Sequence, residues 1–173
     1  MRGSLVRGLV AATGLMLVGA GAAAQNPPPP GCPGPEYRQF DFWVGEWNVT
    51  APGGAQAGTN SITTELLGCV LHEHWDGAQG GKGESFNIYD ATRKVWHQTW
   101  VSDRGTLLTL EGTLKGDAMV LEGESIARNG KTVQNRVTWT PRPDGAVRQL
   151  WEVSRDGGAT WGTVFDGLYV KKK

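Results

Sequence analysis

The chain has 173 residues, with 17 basic and 17 acidic side chains, and is formally neutral at pH 7. That length suits one ordinary domain, and the even charge leaves no electrostatic footprint for nucleic acid. It has only two cysteines, with no histidines spaced to complete a zinc set beside them, so no metal site is expected.

Residues 1–24 read as a signal peptide. Arg2 and Arg7 give a basic start, "GLVAATGLMLVGAGAAA" is apolar and rich in small residues, and "AAA" at 22–24 is an A-x-A-like cleavage site. The alternative is a retained anchor, but the apolar core is shorter than the roughly 20 residues that span a bilayer, so no stable membrane insertion is expected. Cleavage after Ala24 leaves 149 residues with a net charge of −2. Residues 25–35 form a Pro/Gly leader, extended because proline breaks helices and central strands. Export, periplasmic or fully secreted, favours a bridge between Cys32 and Cys69. The bridge would close a loop of about 37 residues, worth roughly 3–4 kcal/mol of chain entropy. Two buried free thiols are the alternative.

The remainder, 36–173, reads as one domain. From residue 40 on, no segment keeps a helical apolar period for more than a turn or two. Short β-branched, aromatic and leucine runs recur about every ten residues between Gly, Asp and Asn clusters. These predict ten strands: Glu46–Ala51, Thr59–Leu67, Val70–Trp75, Glu84–Tyr89, Val95–Ser102, Thr106–Lys115, Ala118–Ile126, Thr132–Pro141, Ala146–Ser154 and Thr163–Lys171. "GD" at 116–117 and "NG" at 129–130 suit hairpin turns. The expected fold class is all-β, an antiparallel up-and-down barrel, because closure removes the edges that a long meander exposes. A two-sheet sandwich is the alternative, but it usually needs longer connections.

Two stretches carry resemblances. "YRQFDFWVGEWNVT" at 37–50 contains Gly45-Glu46-Trp47, which resembles the G-x-W signature of lipocalins and related calycins. The domain is similar to exported bacterial calycin-like domains, with a strand layout like the nitrobindin and fatty-acid-binding branches. The resemblance implies a short helical turn before the first strand, with Phe40, Phe42 and Trp43 plugging one end of the barrel and Trp47 closing its bottom. Lipocalins set an arginine on that tryptophan from near the last strand, whereas this chain has Lys171 to Lys173 there. Nitrobindin-like haem binding implies a histidine late in the barrel. The last histidine here is His97, mid-chain, so no cofactor is expected. "SRDGGATW" at 154–161 resembles the Asp-box hairpin of sialidases. It occurs once, and the arginine cluster and longer chain of a sialidase are missing. Asp156, Gly158 and Trp161 are therefore assigned structural roles in a turn, as Gly45 and Trp47 are at the first strand.

Eight tryptophans are available to fill a core or line a cavity: Trp43, Trp47, Trp75, Trp96, Trp100, Trp139, Trp151 and Trp161. In "VWHQTW", alternation puts Trp96, Gln98 and Trp100 on one face. In "SFNIY", it puts Asn87 between Ser85 and Tyr89. The candidate ligand-binding residues are Trp75, Asn87, Tyr89, Trp96, Gln98, Trp100, Trp139 and Trp151. An internal polar network is the alternative role for Gln98. "LHEHW" sets His72 and His74 on one face and Glu73 on the other. His-x-His is a metal-ligand spacing, but His97 is two strands away, about 10 Å in a flat sheet. An inward Glu73 would be a buried carboxylate with a raised pKa, the one weak candidate for an acid or base. The glycine-rich "GAQGGKG" at 77–83 lacks the end of a phosphate-binding loop and reads as a loop at the barrel mouth.

The expected function is exported binding of a small, mainly apolar or amphipathic molecule inside the barrel. The alternatives are a structural or partner-binding module with a filled barrel, and an isomerase or hydrolase using Glu73 or His97. An interior with no cavity above roughly 300 Å³ would favour the filled module.

Overall fold

In a computed structural model the chain is described over residues 31–173, and before them at Gly3 alone. The leader 1–24 and residues 25–30 of the Pro-rich stretch otherwise lie outside the described residues. Two short 3₁₀ turns, Pro35–Arg38 and Asp41–Trp43, precede ten strands. These are β1 (Gly45–Thr50), β2 (Gln56–Glu65), β3 (Val70–Gly77), β4 (Lys82–Asp90), β5 (Val95–Ser102), β6 (Leu107–Lys115), β7 (Ala118–Ile126), β8 (Thr132–Pro141), β9 (Val147–Ser154) and β10 (Gly162–Lys171). Each pairs antiparallel with the next, and β10 returns to β1, so the sheet is a closed barrel. At the coarse level this fits a calycin-like barrel. The sandwich alternative is excluded, because Val49 of β1 pairs with Gly58 on one side and Tyr169 on the other.

Alternation decides what enters the barrel. In β8, Val133, Asn135, Val137 and Trp139 are buried while the residues between them are at least partly exposed. The same rule turns Trp47 and Val49, Leu110 and Leu108, and Met119 and Leu121 inward. One end is sealed by aromatic rings. Phe40 and Trp43 are fully buried and stacked, with centroids 5.1 Å apart. Trp96 and Trp139 meet Phe40 edge-on at 5.6 and 5.1 Å. The Trp47 indole N–H donates to the Trp43 carbonyl oxygen at 2.9 Å, tying the first strand to the plug. Rings of this size exclude water from the barrel's closed end.

Gly45 explains the entry into β1. Its φ of 141° is open to glycine but disfavoured for residues with a Cβ. Lys171 places its Nζ 5.3 Å from the centre of the Trp47 ring, a cation–π contact where lipocalins use arginine. The leader is fastened at the same end. Cys32 and Cys69 form a disulfide, the Gly31 N–H donates to the Leu67 carbonyl oxygen at 3.0 Å, and Arg38 donates to the Gly68 carbonyl oxygen. A disulfide suits an oxidising compartment. Among the described residues no helix is long and apolar enough to cross a membrane.

The connections at the other end include the glycine-rich β3–β4 turn and the 154–161 hairpin. In that hairpin Asp156 accepts from the Thr160 N–H at 2.9 Å and the Thr160 hydroxyl at 2.6 Å. The Gly158 N–H donates to the Ser154 hydroxyl oxygen at 2.8 Å, and the Trp161 indole N–H to the Gly158 carbonyl oxygen at 3.1 Å. Gly157 and Gly158 both have positive φ. Arg136 lies 4.0 Å over the Trp161 ring. The Thr160 hydroxyl, then its N–H and the Ser154 hydroxyl, which donates to Asp156 Oδ1 at 2.8 Å, hold the Asp156 carboxyl down at about 2. The polar groups of the Ser154, Asp156, Thr160 and Trp161 side chains are all spent on the turn.

Candidate functional site: a cavity at the unplugged end of the barrel

The tryptophans of β5 divide the interior. Trp96 belongs to the plug, and one turn of alternation further on Gln98 and Trp100 line a cavity of about 230 Å³. Its walls also include Trp75 of β3, Leu108 of β6, Val137 of β8, Gln149 and Trp151 of β9, and Val164, Phe165 and Tyr169 of β10. Glu73 lies at its polar side.

The cavity exists because several strands place an inward glycine under an aromatic ring. A Cβ on Gly83 would sit 2.2 Å from Cζ2 of Trp100, and one on Gly58 would sit 2.8 Å from the Trp75 ring. A Cβ on Gly167 would sit 2.6 Å from the Phe165 ring. In each case the ring occupies the space a Cβ would take. Trp75 and Phe165 also meet edge-on at 5.7 Å. Trp151 is oriented by its indole N–H, which donates to Asn135 Oδ1 at 3.1 Å. Asn135 in turn donates to the Ser125 hydroxyl oxygen at 2.9 Å.

A connected polar network makes the floor. Glu73 Oε1 accepts from Asn60 Nδ2 at 2.7 Å and Oε2 accepts from the Ser85 hydroxyl at 2.6 Å. Asn87 donates to the Ser85 hydroxyl oxygen at 2.9 Å and to the Leu71 carbonyl oxygen at 3.2 Å. Gln98 Nε2 donates to Asn87 Oδ1 at 2.8 Å. The Tyr169 hydroxyl donates to Gln149 Oε1. Glu73 is only 4% exposed. Burial pushes its carboxyl up from 4.5 to about 7, against the downward pull of the Ser85 and Asn60 hydrogen bonds. Burial, then the Glu73 charge, raises the Tyr169 hydroxyl well above its ordinary value, so Tyr169 stays neutral.

The residues singled out in the sequence thus fall into three places. Trp75, Gln98, Trp100 and Trp151 line the cavity, and Glu73 is beside them. Asn87 lies beneath it in the floor network. Trp96 and Trp139 are in the plug, and Tyr89 packs at that end against Trp96 at 6.1 Å and Tyr37 at 5.3 Å. Phe165, Tyr169 and Gln149 were not among them. Gln149-x-Trp151 in β9 repeats the Gln98-x-Trp100 pattern of β5, a signal that could have found Gln149.

The histidines are outside. His72 and His74 stand on the outer wall, where Glu84 of β4 meets them at 3.1 and 3.5 Å. His97 is also outside, bonded to Glu111 at 3.0 Å and Thr99 at 2.8 Å. Neither group reaches the cavity. No known family matches the chain, and no curated protein does.

Proposed function

We propose that the protein is an exported calycin-like barrel, of the lipocalin and nitrobindin type, that holds a small, mainly apolar molecule in the cavity above its aromatic plug. One observation carries the reading: a space of about 230 Å³ whose walls are five aromatic side chains backed by apolar residues and whose floor is a fixed polar network. This combination orients an amphipathic, ring-shaped molecule, with apolar walls for its body and a few placed polar groups for one end. The size bounds the occupant. An apolar cavity of about 150 Å³ accommodates benzene, so this one suits a single substituted ring rather than a fatty acid or a haem. Export is supported by the apolar leader and by the Cys32–Cys69 disulfide.

The same volume favours a second reading. It is below the roughly 300 Å³ at which ligand pockets begin, and the plug and polar network fill the rest of the interior. A structural or partner-binding module with a nearly filled barrel has this property too. Native mass spectrometry of protein purified from its own exported compartment, with an absorbance spectrum of the same sample, separates the two. A reproducible extra mass of single-ring size, lost on denaturation, supports the carrier. A bare mass with no visible absorbance favours the filled module.

A further inference from the structure

We propose that the cavity selects a small organic cation, an amine on an aromatic or short alkyl body, with the Glu73 carboxylate as its counter-charge. This rests on the binding-barrel reading above and narrows its ligand.

Glu73 is buried, yet its hydrogen bonds come from the neutral Asn60 and Ser85. Among the described residues, no lysine, arginine or histidine lines the cavity. Buried carboxylates are normally matched by a cation or a metal, because hydrogen bonds satisfy lone pairs without cancelling charge. The nearest titratable groups do not supply the match. Tyr169 is neutral, and His74 stands on the opposite face of β3 beside Glu84. The unfilled space next to Glu73 is therefore where a cation would sit whenever the carboxyl is ionised.

The walls suit that charge. Trp75, Trp100, Trp151 and Phe165 surround the space, and the faces of aromatic rings attract ammonium groups, most strongly where water is excluded. Gln98 spends its amide nitrogen on Asn87, which leaves its carbonyl oxygen to accept an N–H from the occupant. A carboxylate ligand would meet Glu73 with no base to offset the repulsion. A hydrocarbon would leave the Glu73 charge unmatched.

Calorimetric titration of the exported protein at about pH 8 with benzylamine, benzyl alcohol and benzoate tests this with probes of nearly one shape. Benzylamine is expected to bind at least about tenfold more tightly than benzyl alcohol, and benzoate not at all. E73Q is expected to bring the amine and the alcohol within about twofold. Equal or tighter binding of the alcohol overturns the cation and leaves the binding barrel standing. An amine preference that survives undiminished in E73Q overturns the role of Glu73. No binding of any of the three overturns both readings. The comparison of probes on the unaltered protein needs no variant, so it stands even if E73Q folds poorly.

Discussion

Burying Glu73 without a cation makes folding stability depend on pH in an unusual direction. Its carboxyl ionises at about 7 in the folded protein and at 4.5 unfolded. Between those values the folded state binds the extra proton, so raising the pH favours unfolding. The sign follows: the stability tied to this group is fully present below 4.5 and lost as pH rises through about 7. At about 1.4 kcal/mol per pH unit, the rise from 4.5 to about 7 removes about 3 kcal/mol between roughly pH 4 and pH 8. That is a large part of the 5–15 kcal/mol that holds a typical domain. The Glu73→Gln variant keeps the shape and the Asn60 bond but cannot ionise. Its amide nitrogen donates to the Ser85 oxygen, as the protonated carboxyl does at low pH, so the two share the same loss of the Ser85 proton's partner there. The variant is therefore expected to match the parent within about 1 kcal/mol near pH 4 and to be about 3 kcal/mol more stable near pH 8. Urea unfolding of both proteins at the two pH values reads this divergence, and other titrating groups cancel in the difference. A difference that stays constant with pH would refute the reasoning, and so would one that moves the other way.

Other perturbations test the plug, the tether and the ring seats. Trp43→Ala removes a fully buried ring from the plug and is expected to cost about 3–5 kcal/mol in urea unfolding; Lys171→Ala, which loses only the contact over Trp47, costs about 1 kcal/mol or less. Replacing Cys32 and Cys69 together by serine frees the loop between them and is expected to lower stability by roughly 3–4 kcal/mol, read as a fall in thermal midpoint that reductant reproduces in the parent protein. Gly83→Ala forces Trp100 off its seat and into the cavity. It is expected to cost about 1–3 kcal/mol and to weaken binding of any ring-sized probe, followed by tryptophan fluorescence.

Strand positions were legible because the alternation is clean and the turns are rich in glycine. β5, β7 and β8 begin and end where the sequence places them. The direction of each face was not legible. "VWHQTW" alternates equally well with Trp96, Gln98 and Trp100 inside or outside, and only closure through the β1–β10 pairing decides it. Phe165 was hidden for a different reason. The β9–β10 register shifts between Thr163 and Phe165, so alternation counted from the start of the strand turns the ring outward, and only a count back from the inward Tyr169 and Gly167 puts it inside. The Glu73 network was half visible. The sequence offers a carboxylate opposite two histidines, but its partners Asn60 and Ser85 arrive from β2 and β4 through cross-strand neighbours that no local pattern marks.

The plug at one end has a kinetic consequence. A barrel sealed by Phe40, Trp43, Trp96 and Trp139 is a cup with a single doorway, so whatever enters must back out along its own path. Anything that covers the rim, such as the β3–β4 turn folding inward or a partner resting there, obstructs arrival and departure alike. Such a cover lengthens residence and slows loading by one common factor and leaves the equilibrium constant where it was. Only a change at the walls or the floor can alter how tightly the cup holds its contents.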